Sequence, residues 1–471
     1  MVFSSYGFLF VFMPAFFLIY FLIGSRYRNF VILAGSLIFY ALGERWRIAI
    51  LLVSMGVNFL LGLRIRRGLA VSQHAARRWL VAGVVFNLAL LACFKYLGFL
   101  EENANEVLRL FGGHDLLPMA GIVLPLGISF FAFQGISYLV DIYRGTIRGT
   151  TNLLTFAAYK SMFPQLVAGP IVRYADVAAE LADPKADTDA VFAGIGRFIR
   201  GLAKKVLIAD TLSVTADAIF ALSPRELSLE TAWLGVAAYT LQIYFDFSGY
   251  SDMAIGMGRM MGFKYPENFN HPYVSRSIGE FWRRWHMTLS AWFRDYLYLP
   301  LGGNRRGRGR TYLNLVIVFA LTGLWHGASW TFVVWGLWHG LFMLVERRFD
   351  PGGWPVPGFV RHIYTMLVVM VGWALFRAES AAAAAGMLKA MFGFGPGGAF
   401  VWPVATFIDP LVAGALVAGL VFSMPVRAQV AANLPAAWWM PASLAVAGLL
   451  LSACGLKVLS GAYSPFLYFR F

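Results

Sequence analysis

The 471-residue chain is 59% hydrophobic and only 13% charged, yet its 39 Lys plus Arg outweigh 24 Asp plus Glu to give a formal charge of +15. So apolar a composition excludes an ordinary water-soluble enzyme, and the positive excess reads as loop charge at a membrane surface rather than a nucleic-acid patch. The two cysteines, Cys93 and Cys454, lie in apolar runs, where they build neither a disulfide framework nor a thiolate metal site and read as small core hydrophobes.

A hydrocarbon layer about 30 Å thick takes roughly 20 apolar residues per crossing helix. Charge-poor stretches recur near 7–23, 30–43, 48–63, 79–94, 118–140, 152–172, 231–245, 312–345, 363–376, 401–422 and 438–456. They predict an all-α polytopic membrane protein with about ten or eleven transmembrane helices, and the alternating polarity of a β-barrel is missing. Short Gly/Pro-rich runs such as 163–171 are expected to re-enter rather than cross. The first apolar run has no cation before it and is expected to be an uncleaved helix rather than a secretory signal.

Loop charge orients the chain. Arg26 and Arg28, the group Arg64, Arg66, Arg67, Arg77 and Arg78, the turn 141–148, the run 197–205 and the run 305–310 are assigned to the cytoplasm. The N-terminus and the acidic loop with Glu101, Glu102, Glu106 and Asp115 fall on the other side. One domain is expected, with N-terminal spans over 1–150, a core over 151–345 that includes amphipathic cytoplasmic helices, and C-terminal spans over 346–471.

Within that core, Arg197, Arg200, Lys204 and Lys205 are interspersed with Phe192, Ile195, Phe198, Leu202 and Val206 at helical spacing, which predicts an amphipathic helix along the cytoplasmic interface. The run from Gln242 to Asp252 places Gln242, Asp246, Ser248 and Asp252 in an otherwise apolar segment. Six residues separate the two aspartates, so on a regular helix they face different sides and do not form a carboxylate pair; an ion pair with a basic residue and a channel role both stand open. Between Ser275 and Leu301, Trp282, Trp285, Trp292 and Phe293 interleave with Glu280, Arg283, Arg284, His286, Ser290, Arg294 and Asp295, as suits the headgroup level or a buried polar groove.

From Tyr312 to Val345 there is no Asp, Glu, Lys or Arg, yet two histidines stand in this stretch, His326 and His339, each inside a Gly-Leu-Trp-His-Gly echo at 323–327 and 336–340. An ionisable group at bilayer depth is costly enough to be read as functional by default. In one continuous helix an offset of thirteen positions would set the rings about 20 Å apart on opposite faces. Gly323, Gly327, Ala328 and Ser329 therefore predict a break at the first histidine, where irregular backbone can line a cavity. His326 is the expected functional residue; His339, nearer Glu346, Arg347 and Arg348, is expected to be interfacial. Zinc-ligand spacing is absent, and a histidine base acting on a hydroxyl within Trp/Phe walls fits the remaining inventory.

Four segments in order, Phe163-Pro-Gln-Leu-Val-Ala-Gly-Pro, Tyr244-Phe-Asp-Phe-Ser-Gly-Tyr-Ser-Asp, Phe281-Trp-Arg-Arg-Trp-His-Met-Thr-Leu-Ser and Leu324-Trp-His-Gly-Ala-Ser-Trp, resemble the membrane-bound O-acyltransferases. The closing Tyr463-Ser-Pro-Phe-Leu-Tyr-Phe is similar to the branch of that family that serves alginate O-acetylation in Gram-negative bacteria. The resemblance implies a helical bundle with interfacial and re-entrant helices around a central funnel or tunnel. The family histidine then corresponds to His326 and a second polar position to His286, with Trp285, Trp325, Gln242, Asp246, Ser248, Asp252, Arg283, Arg284 and Ser290 as channel candidates. It also implies acetyl-CoA as cytoplasmic donor, no tightly bound cofactor or metal, no nucleic acid, a bacterial inner-membrane location with a periplasmic N-terminus, and periplasmic acetyltransferase partners. Cellulose or peptidoglycan acetylation is the alternative within this chemistry. A non-enzymatic polysaccharide-export subunit is the alternative outside it.

Overall fold

The computed structural model describes residues 2–112, 121–349, 356–395, 401–433 and 435–461. Asp115, Asp350 and the closing segment from Tyr463 lie outside the described residues. Those that are described form helices and connecting loops with no strand. Leu18, Leu60, Leu88, Val417, Leu420 and Leu449 are exposed while Asn58, Asn87, Lys160 and Asp246 are buried. Apolar outside and polar inside suits a lipid solvent and not water.

The chain divides into two compact units, one formed by Tyr6–Ile195 with Ala254–Pro266, the other by Val2–Ser5, Gly196–Met253 and the chain from Glu267 onward. In the first unit, α1 (Arg28–Glu44) gives way to α2 (Ile48–Leu69) at Arg45, whose φ of 53° breaks the helix. Helices α2, α3 (Gln73–Leu91) and α4 (Ile128–Arg144) pack together. Their polar contact is a reciprocal amide pair between Asn58 and Asn87, at 3.2 and 2.8 Å. The expected re-entrant run is one helical turn, Phe163–Leu166, followed by bent, non-helical backbone that stays buried through Val172. A four-residue turn rises only about 6 Å and cannot cross a bilayer.

Four stretches among the described residues are long and apolar enough to cross alone: Ser25–Leu69, Gln73–Leu110, Gly358–Arg377 and Trp438–Leu459. The first contains both α1 and α2. Other apolar segments of the sequence form shorter helices, such as Pro410–Phe422, or helices that carry buried polar groups.

The second unit is built on the later part of α5 (Thr188–Ala203) from Gly196 and its continuation to Ala209, α6 (Leu229–Met260) as far as Met253, the short α7 (Ile278–Arg284) and α8 (Met287–Phe293), α9 (Gly307–His326), α10 (Trp330–Phe349) and α11 (Gly358–Arg377). The basic run at 197–205 does not lie flat with its charges in water, as the sequence pattern suggests. Arg197 and Lys204 turn inward to Asp252 at 2.8 and 2.7 Å, and the buried Lys205 bridges Asp210 at 2.7 Å and Asp246 at 2.6 Å. A β-carbon on Gly201 would stand 2.5 Å from Gly249 O, so the two backbones touch and the lysine stem reaches the aspartate beneath. Cys454 is buried as expected, but Cys93 is exposed, on an apolar outer face rather than in a core.

The charge-free stretch from 312 to 345 is two antiparallel helices, not one span. Helix α9 ends at His326, residues 327–329 are non-helical, and α10 returns alongside it. A β-carbon on Gly323 would meet Phe332 O at 2.3 Å and one on Gly336 would meet Phe319 O at 2.2 Å, so the first glycine of each echo sits in the crossing of the hairpin. Glu346, near the end of α10, accepts the N–H groups of Ile278 and Gly279 at 2.5 and 2.8 Å and so holds the start of α7, where the helix N-terminus favours a carboxylate.

Two outcomes follow. Gly336→Ala forces a methyl onto a backbone oxygen and is expected to lower stability by about 1–3 kcal/mol in thermal unfolding of the detergent-solubilised protein, whereas Gly309→Ala, which meets nothing within 4 Å, leaves it unchanged or slightly raised. Lys205→Met leaves two carboxylates buried without their cation and is expected to cost about 3–5 kcal/mol by the same measurement.

Candidate active site

Short helices α7 and α8 meet at His286, which has φ 42° and ψ 53°. A non-glycine residue in this left-handed region costs about 1–3 kcal/mol and persists only where its surroundings fix it. The fixing comes from Asn268, which sequence reading passes over. Its backbone O accepts from Met287 N at 2.9 Å, and Asn270 N donates to Arg284 O at 2.9 Å, so the 268–270 loop is pinned along the α7–α8 turn.

The Asn268 side chain also sets the state of the histidine ring. Its Oδ1 accepts from Thr288 Oγ1 at 2.8 Å and from Thr288 N at 3.4 Å, and lies 3.0 Å from His286 Nδ1. An oxygen that takes these donors is an acceptor, so Nδ1 of His286 must carry the proton and donate. In the neutral ring Nε2 is then the lone-pair nitrogen. Such a nitrogen accepts a hydrogen bond from a hydroxyl; it cannot donate to a developing oxyanion unless the ring is charged.

His326 is the last residue of α9, and its ring meets Trp325, Trp335 and Phe376 edge-on at 5.0, 5.0 and 5.3 Å between centroids. Trp325 also contacts His286 at 6.0 Å, so one indole stands between the two histidines. All three histidines are buried, His326 at 5% and His286 and His339 at 0% exposure. His339 is not interfacial: it is enclosed by Phe281, Trp282, Trp335 and Trp373. The break at Gly327 folds α10 back, so both histidines contact Trp335 instead of standing a helix length apart.

The other sequence candidates divide. Trp285 joins the aromatic wall, 4.8 Å from Trp373 and stacked on Phe281. Gln242 and Ser248 are buried, and Gln242 Oε1 and Ser248 Oγ have no hydrogen-bond partner among the described residues. Asp246 and Asp252 are engaged by Lys205, Lys204 and Arg197, and Ser290 Oγ donates to Trp282 O at 3.3 Å. Arg284 pairs with Glu280 at 2.9 Å and donates to Asn270 O at 3.0 Å, while Arg283 is exposed. Partial burial acts to raise the Glu280 carboxyl, but the Arg276 N–H and the Arg284 guanidinium hold it below its ordinary value.

Known proteins share this arrangement of sequence. The profile of MBOAT, the membrane-bound O-acyltransferase family, matches residues 143–352, a span that holds both histidines and Asn268. A probable alginate O-acetylase, AlgI, of Pseudomonas putida is 43% identical over 502 aligned residues, covering 100% of both chains. A peptidoglycan O-acetyltransferase of Helicobacter pylori is 36% identical over 67% of this chain and 65% of its own. A teichoic acid D-alanyltransferase of Bacillus subtilis is 28% identical over 50% of this chain and 61% of its own. Full-length identity of this order, on a polytopic helical chain with these histidines, shows that the protein belongs to the membrane-bound O-acyltransferase family and is an acyltransferase.

Proposed function

We propose that this acyltransferase moves an acetyl group from a cytoplasmic thioester, acetyl-CoA, across the bacterial inner membrane for O-acetylation of an exported polysaccharide, with alginate the foremost polymer. The observation that carries the reading is the pairing of His326 with His286 across Trp325 at the broken end of α9. An acceptor hydroxyl gives its proton to His326 as its oxygen attacks the thioester carbonyl, while the lone pair of His286 Nε2 accepts from a neighbouring hydroxyl of the acceptor and holds it in place. The carbon–sulfur bond then breaks, and His326 returns the proton to the departing thiolate. Aromatic walls keep bulk water from competing for the acyl group.

Choice of polymer rests on the relatives. Full-length similarity to a protein named for alginate favours alginate over peptidoglycan, whose named enzyme aligns over about two thirds of the chain. The exposed Arg305, Arg306 and Arg308 form a basic edge suited to the phosphates of a nucleotide thioester. With that edge in the cytoplasm, the N-terminus is periplasmic, and the acetyl group emerges where periplasmic transferases can take it to the polymer.

His326→Ala, present at normal abundance, is expected to reduce polymer acetylation by about a hundredfold or more, as loss of a positioned base does. Unchanged acetylation contradicts the proposal. Asn268→Leu releases the His286 tautomer and is expected to lower kcat about ten- to a hundredfold, with Asn268→Asp, which still accepts, retaining most activity. Equal loss in both Asn268 variants, or in neither, contradicts the role given to that side chain.

A further inference from the structure

Beside His326 lies a group of polar ring atoms that the mechanism above leaves unused. Trp282, Trp335 and His339 contact one another, with ring centroids 5.2 Å apart for Trp282 and His339, 5.3 Å for Trp335 and His339, and 5.9 Å for Trp282 and Trp335. All three rings are buried. Trp282 Nε1, Trp335 Nε1 and both ring nitrogens of His339 have no hydrogen-bond partner among the described residues. A buried donor left unpaired carries a free-energy cost, and buried polar groups in native proteins are satisfied as a rule. Four such atoms within three touching rings call for an occupant.

The chemistry of the rings says what that occupant is. An indole offers only an N–H donor, and a neutral imidazole adds one more, so the group presents three donors. Its partner is an oxygen that accepts several hydrogen bonds at once. Gly372 of α11 lets that helix approach the group closely, since a β-carbon there would come 2.7 Å from His339 Nε2. Trp335 stands edge-on to His326 at 5.0 Å, which places the group against the proton acceptor.

We infer that the N–H groups of Trp282, Trp335 and His339 form the binding site for the carbonyl oxygen of the transferring acyl group and stabilise the negative charge that collects there. The inference rests on the acyl-transfer reading given above. During attack the hydroxyl oxygen bonds to the carbonyl carbon, and the π electrons move onto the carbonyl oxygen, whose negative charge the three N–H donors stabilise by hydrogen bonding. The electrons return as the bond to the thiol sulfur breaks, and His326 carries the proton from hydroxyl to thiolate. Donors already in place cost no reorganisation, so their gain falls on kcat rather than on KM.

The test measures kcat and KM for acetyl transfer from acetyl-CoA by the purified full-length protein, with melting temperature for every variant. Trp335→Phe and Trp282→Phe keep an aromatic ring and remove one N–H each; kcat is expected to fall about a hundredfold with donor KM nearly unchanged. His339→Leu is expected to fall likewise at an equal or higher melting temperature, because it also removes an unpaired buried group, and His339→Gln, which still donates, is expected to recover much of the loss. Full activity in both tryptophan variants and in His339→Leu overturns the inference and leaves the rings with water alone. His326→Ala serves as reference: if it stays active, the acyl-transfer reading has failed, whereas an inactive His326→Ala beside active tryptophan variants removes only the oxyanion site.

Discussion

Backbone contact between Gly323 and Gly336 is the constraint on which the site depends. An α-helix normally keeps a neighbour 8–10 Å away, and side chains fill the gap. Here a glycine on each helix removes the obstacle, and a β-carbon on either would strike a carbonyl oxygen of the other at 2.3 or 2.2 Å. The close approach brings Trp335 of the returning helix onto His326 at the end of the outgoing one. Glu346, further along α10, then fixes the start of α7, and with it the segment that presents Trp282, Trp285 and His286. A crossing, a break and a carboxylate thus bring residues from distant parts of the chain around one imidazole.

The two polar systems of the second unit serve different ends. Lys205 with Asp210 and Asp246, and Asp252 with Arg197 and Lys204, are closed ionic groups in which the carboxylates face cations at 2.6–2.8 Å. Breaking such a pair is costly, but its presence need not add net stability, so its value lies in registering α5 against α6. The aromatic system is the reverse. Its rings fill the interior while Trp282 Nε1, Trp335 Nε1 and the ring nitrogens of His339 have no hydrogen-bond partner among the described residues. Open hydrogen-bonding capacity beside a buried histidine suits a reaction centre, and closed ion pairs suit a frame.

Much of this was legible in the sequence because it depends on local pattern. Composition announces lipid as the solvent, Gly327 and its small neighbours announce the break, and a histidine in a charge-free stretch announces chemistry. Partnerships made across the fold were not legible. Nothing in the order of residues says that Asp246 meets Lys205, since a basic residue on an amphipathic pattern looks the same whether it faces water or a buried carboxylate. His339 illustrates the same limit: its nearness in sequence to Glu346, Arg347 and Arg348 suggests an interface, yet the reversal at 327–329 draws it into the aromatic interior. Asn268 is not legible because one asparagine in a polar loop carries no periodic signal, although Pro-Glu-Asn-Phe-Asn-His-Pro is unusually polar for a segment leading into so aromatic a helix pair.

The account's central claim is that the acyl group reacts at His326, between the Trp325–His286 side and the Trp335 side of its ring. The most direct measurement is an experimental density map of the full-length protein with a thioether analogue of acetyl-CoA, which binds like the donor but cannot transfer its acyl mimic. The account predicts the mimic's carbonyl carbon within reach of a hydroxyl beside His326, its oxygen turned toward Trp335, and the nucleotide toward the Arg305–Arg308 edge. An analogue bound with its acyl end elsewhere, and His326 walled off from it by packed side chains, would contradict the account.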